Sequence, residues 1–63
     1  MDASITARIR QLKLEIEQLR REDKEYRGLA HRSRLAVARH QNRQLRMTQI
    51  REELTEILNR NAS

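Results

Sequence analysis

Apolar residues recur through the first third of the chain at Ile5, Ile9, Leu12, Ile16 and Leu19, in steps of four, three, four and three. That is the narrow seam of a helix meant to pair with another helix, not the broad stripe of one laid on a large core. With Ile9 and Ile16 in one seam position and Ile5, Leu12 and Leu19 in the other, the spacing predicts a helix over about 4–27, capped by Ser4. Glu17 with Arg21, and Asp23 with Arg27, add acid-before-base pairs one turn apart outside the seam. A second seam appears near the end, at Met47, Ile50, Leu54, Ile57 and Asn61, with Leu58 beside it. It predicts a second helix over about 34–60.

The two seams do not share one frame, so a continuous helix would need a stutter between them. A turn over about 28–33 removes that need. Gly28 stands where a helix-ending residue belongs, and Ser33 is placed to cap the helix that follows. Folding the chain about residues 31 and 32 brings Ile5 to Leu58, Ile9 to Leu54, Leu12 to Ile50 or Arg51, and Ile16 to Met47. Asp23 then meets His40 or Arg39, either of which would hold it. The expected architecture is therefore all-α: one domain over 1–63, an antiparallel two-helix coiled-coil hairpin. The alternative is one long helix of ~80 Å in a parallel coiled coil.

A lone helix pair of this size buries little, and Leu14, Leu35, Val37 and Leu45 fall off the seam. The hairpin is accordingly expected to dimerise into a four-helix bundle, a homo-oligomer held through Ile9, Leu12, Leu14, Ile16, Leu19, Met47, Ile50, Leu54 and Ile57. Composition narrows the setting. The 63 residues include no Cys and no Pro, and one aromatic, Tyr26. There is thus no disulfide or thiolate metal site, which fits a reducing, cytoplasmic (intracellular) environment. The longest apolar run, Leu35 to Ala38, falls far short of the ~20 residues of a membrane span. Asn61-Ala62-Ser63 has the form of a glycosylation sequon.

Charge supplies the one strong functional signal. Between Arg27 and Arg46 lie six arginines (27, 32, 34, 39, 43 and 46), two histidines and no carboxylate. Twelve of the fourteen basic residues are Arg, whose planar fork suits phosphate and carboxylate. In a hairpin this excess gathers at the turn end, where concentrated positive charge binds nucleic-acid phosphates by counterion release. The candidate nucleic-acid-binding residues are Arg32, Arg34, Arg39 and Arg43, with Arg27 and Arg46 at the edges. The competing reading is that these arginines are solvated or paired within the fold. The region 32–46 lacks the Asn-x-x-Ala-Ala pattern of a basic zipper, and the seam after it is barely two heptads long.

Catalysis and metal binding have little to stand on. His31 and His40 are nine residues apart, not the four that puts two ligands on one helix face. No glycine-rich loop exists to cradle a phosphate. The expectation is a non-enzymatic binding or adaptor module without cofactor, metal or small-molecule substrate. Its partners would be nucleic acid or an acidic protein. The alternative is a purely structural coiled-coil subunit that binds another helical or acidic protein.

Overall fold

A computed structural model describes residues 2–61, so that of the sequon-like ending Ala62 and Ser63 lie outside the described residues. Two helices, α1 (Ala3–Arg27) and α2 (Arg34–Asn61), pack antiparallel as a hairpin of 47 × 15 × 13 Å. No described helix is long and apolar enough to cross a membrane.

The start of α1 lies one residue earlier than the sequence pattern places it. Asp2, not Ser4, is the N-cap. Its carboxylate accepts from the Ser4 backbone N–H and from the Ser4 hydroxyl, each at 2.7 Å. A carboxylate suits the unpaired amides at a helix N-terminus, where the dipole favours negative charge, and here it also takes the Ser4 hydroxyl. The other end closes at Gly28, whose N–H reaches the carbonyls of Lys24 and Glu25 at 3.2 and 3.1 Å. Gly28 keeps φ −82° and ψ −5°, so it ends the helix without left-handed backbone. After the connection, Ser33 caps α2 as expected, its hydroxyl accepting from Ala36 N–H at 3.1 Å.

The seam is thin. Leu12 and Ile50 are fully enclosed, and Met47 and Tyr26 are nearly so. Ile5, Ile9, Ile16, Leu19, Leu54 and Ile57 are half-buried, as expected for two helices with nothing laid across them. The simple mirror assigns Leu58 to the seam opposite Ile5, but Leu58 is 57% exposed and Ile57 takes the inward position. Leu14, Leu35 and Leu45 stand on outer surfaces, and Val37 is half-buried.

Two forked ion pairs cross one side of the seam in a single register. Arg8 donates to Glu53 through Nε (2.6 Å) and Nη2 (2.9 Å), and Arg46 grips Glu15 through the same two nitrogens, Nη2 at 2.9 Å. Each arginine also leans on a glutamine of its own helix, Arg8 on Gln11 and Arg46 on Gln49. The two halves of this arrangement share a sequence: RIRQLKLEI over 8–16 and RMTQIREEL over 46–54 match in Arg, Gln, Glu and every seam position. A near-twofold axis therefore runs through the middle of the hairpin, between Leu12 and Ile50. Of the two helix-surface pairs read from spacing, Asp23 with Arg27 forms, whereas Glu17 and Arg21 make no ion pair.

Two stability results follow. Ile50→Ala should cost about 2–4 kcal/mol in urea unfolding, because the cavity opens where the seam is fully enclosed. Leu45→Ala, on the outer surface, should change it by less than about 0.5 kcal/mol. Gly28→Ala should leave the fold intact and raise stability by about 0.4–1 kcal/mol. The added methyl would lie 3.5 Å from the Glu25 carbonyl oxygen, ordinary contact, and φ is already right-handed.

Candidate nucleic-acid interface

The turn end is built around a carboxylate in the seam. Asp23 is 2% exposed, inside a hairpin whose other enclosed residues are apolar or aromatic. One oxygen, Oδ2, accepts from Arg27 Nη2 at 2.9 Å and Nε at 3.3 Å, one turn along the same helix. The other, Oδ1, lies 2.5 Å from His40 Nδ1 on α2 and 3.9 Å from Arg43 Nη2. Burial pushes the Asp23 carboxyl up, but the hydrogen bonds to Arg27 and His40 and the positive charge around it prevail and hold it below the ordinary value. The partner across the seam is thus His40. Arg39, the other option the mirror allows, is exposed and makes no contact with Asp23.

Tyr26, one turn beyond Asp23, closes the seam. Its ring stacks on His40 with centroids 4.3 Å apart and planes 8° from parallel. The Arg32 guanidinium lies 4.7 Å from the ring centroid and that of Arg43 lies 5.7 Å from it. Cations over an aromatic face gain about 0.5–2 kcal/mol according to how far they are desolvated. Arg43 is the deeper of the two, with a side chain 12% exposed and an Nε that finds no hydrogen-bond partner. The only aromatic in the chain is therefore spent on holding the turn end together.

These contacts sort the six arginines. Arg43 is packed into the seam, and Arg46 is committed to Glu15, about three turns of α2 from the tip. Arg27 is bonded to Asp23 while its side chain stays 75% exposed. Arg32 lies in the connection over Tyr26 and is exposed. Arg34 and Arg39 are exposed and paired with no described residue. Lys24 and His31 are exposed nearby. The tip thus presents Arg27, Arg32, Arg34 and Arg39 to solvent, and the chain's one exposed carboxylate there is Glu25.

An open groove of about 600 Å³ runs beside Tyr26, between Glu22 and Glu25 on α1 and Arg39 and Arg43 on α2. Glu22 and Arg39 stand where the register of the two forked pairs calls for a third, seven residues on from Glu15 and seven before Arg46. They do not bridge, and Glu22 instead accepts from Gln18. Among the described residues no group of three His, Cys, Asp or Glu side chains is gathered as a metal site would need. No protein family, curated protein or solved structure matches this chain.

The forked pairs and the Tyr26 sandwich were not expected from the sequence. Both left a trace in it: the repeated Arg-x-x-Gln-x-x-x-Glu spacing at 8–15 and 46–53, and a lone aromatic in seam frame with His40 and Arg43 across from it. Acid is the test of the pairs. Glu15 and Glu53 are held below the ordinary carboxylate value, first by the hydrogen bonds from Arg46 and Arg8, and Asp23 is held low as well. Their contribution is complete above the unfolded values of about 3.9–4.3 and is lost as pH falls through the lower folded values. Melting temperature should fall steeply only below about pH 4. In Glu15→Gln with Glu53→Gln the fall should be shallower, since two of the groups no longer titrate. Circular dichroism melts between pH 2 and 7 check both.

Proposed function

We propose that this chain is a non-enzymatic binding module whose turn end docks on nucleic-acid phosphates. The observation that supports it is the sorting of the basic residues. Arg8, Arg43 and Arg46 are absorbed by the fold, whereas Arg32, Arg34 and Arg39 stay exposed at one tip, with Arg27 beside them. The tip is held in shape by Asp23, His40 and Tyr26, so its arginines are displayed from a fixed base and little is lost in ordering them. Guanidinium groups grip phosphate through paired N–H donors and release condensed counterions as they do so.

The same geometry sets the manner of binding. Tyr26 is covered by His40, Arg32 and Arg43, so it offers no open face for a base to stack on. Recognition is then of the backbone, with weak sequence preference. Self-association is a subordinate part of this reading, because Leu12, Met47 and Ile50 are already enclosed within one hairpin.

Arg34→Gln with Arg39→Gln is the informative variant, since neither side chain supports the fold. Wild type should bind a labelled RNA or DNA duplex by fluorescence anisotropy, with a log–log salt slope of roughly −2 to −3 for three neutralised phosphates. The variant should keep its melting curve, bind at least ten-fold more weakly and show a shallower slope. Absence of wild-type binding at ~50 mM salt, where the electrostatic term is strongest, would overturn the proposal.

A further inference from the structure

The two sides of the seam are not alike. Arg8, Glu15, Arg46 and Glu53 bridge the helices along one side. Each immediately precedes a seam residue: Ile9, Ile16, Met47 and Leu54. At 100° per residue those four aliphatics fall on the other side of the Leu12–Ile50 line, where no ion pair crosses. Three of them, Ile9, Ile16 and Leu54, are half-buried there, and Leu58 stands 57% exposed at the edge of the same strip.

What borders this strip is basic. Lys13 and Arg20 lie four residues beyond Ile9 and Ile16, and Arg51 lies four beyond Met47. Lys13 on α1 and Arg51 on α2 stand on opposite edges of this strip, within about one turn of each other in the register of the forked pairs. All three are exposed and paired with no described residue. Glu15 and Glu53 are bound in the pairs on the far side, Asp23 is enclosed and Glu52 lies on the back of α2; Glu17, exposed between Lys13 and Arg20 on α1, offsets one of these charges and leaves the border net basic.

We propose that this flank is a docking groove for an acidic amphipathic helix of another protein, which would complete a three-helix arrangement. A helix with aliphatics in steps of three and four would seat them against Ile9, Ile16, Leu54 and the exposed Leu58. Glutamate or aspartate on both its edges would meet Lys13 and Arg20 on one side and Arg51 on the other. The groove over 47–58 is ~16 Å long, about three turns of partner helix. Charge selects this occupant over the others. A second copy brings Lys13, Arg20 and Arg51 against themselves, which raises the cost of association. A polyanion gains nothing from an aliphatic strip. A lipid surface takes up protruding apolar side chains, whereas Ile9, Ile16 and Leu54 are half-buried and Leu14 and Leu45 stand on other faces.

The test uses the whole chain and two synthetic 21-residue helical peptides with leucine in the seam positions, one with glutamate on both edges and one with lysine. Anisotropy should show one-to-one binding of the glutamate peptide and none of the lysine peptide. Lys13→Glu with Arg51→Glu, checked for an unchanged melting curve, should bind the glutamate peptide at least ten-fold more weakly and gain the lysine peptide. Should that variant lose its fold, Leu58→Ser serves instead, because the side chain is exposed; at least a three-fold loss is expected. The Arg34→Gln, Arg39→Gln chain should keep full affinity for the peptide, which separates this groove from the turn end. Affinity for the glutamate peptide that is absent, or unchanged by charge reversal, overturns the proposal. So does a wild-type chain that sediments as a dimer and excludes the peptide, or one that binds only anionic phosphatidylglycerol vesicles.

Discussion

A carboxylate removed from water must be answered by donors, and that requirement at Asp23 governs how the two helices meet. Its seam neighbours along α1 are Leu19 and Tyr26; Arg27 answers it from the same helix, and His40 and Arg43 from the other. Sliding α2 by one seam repeat would bring Met47 level with Asp23 and leave a charge enclosed against a thioether. An unpaired buried charge costs several kcal/mol, comparable with the whole stability of a chain this short. Aliphatic seams alone tolerate such slips, because one Leu or Ile layer resembles the next. The buried acid thus gives the hairpin its single alignment, and Arg8–Glu53 and Glu15–Arg46 agree with it further along.

That alignment divides the basic residues into distinct groups. Some are structural: Arg43 packs on Tyr26, and Arg8 and Arg46 lock the forked pairs. Others are exposed and unpaired, among them Arg34 and Arg39 at the tip, Lys13, Arg20 and Arg51 along the unbridged flank, and Arg10 and Arg21 outside both groups. A net charge of +5 on so short a chain is therefore not a uniform halo. Part of its exposed portion gathers at the tip, beside the contacts that Asp23, His40 and Tyr26 make across the seam.

Much of the fold was legible because seam spacing is a strong local signal. Steps of three and four at 5–19 and 47–61 gave both helices and, through their mismatched frames, the turn. The Asp23–His40 contact came from the same mirror. Its errors have physical causes. Ser4 was a reasonable cap, but its N–H and its hydroxyl both donate to the Asp2 carboxylate, which starts the helix earlier. Leu58 and Ile57 are adjacent, and a mirror drawn to the nearest residue cannot say which one points inward. Of the candidate site, the concentration of arginine at one end was visible. Which arginines the fold consumes was not, since that depends on side-chain reach across the seam. Arg43 and Arg39 look equivalent in one dimension and differ wholly in three.

The near-twofold repeat of Arg, Gln and Glu makes each helix a passable imitation of its partner. A free α1 could align antiparallel with another α1, matching Arg8 to Glu15 twice over, and so compete with correct pairing during folding. What decides the contest is tethering. A six-residue connection between α1 and α2 holds the proper partner at an effective concentration in the millimolar range. Strangers at micromolar concentration lose to it by about three orders of magnitude. The short link between the helices thus acts as the arbiter of partner choice in a sequence whose seam cannot fully tell self from partner.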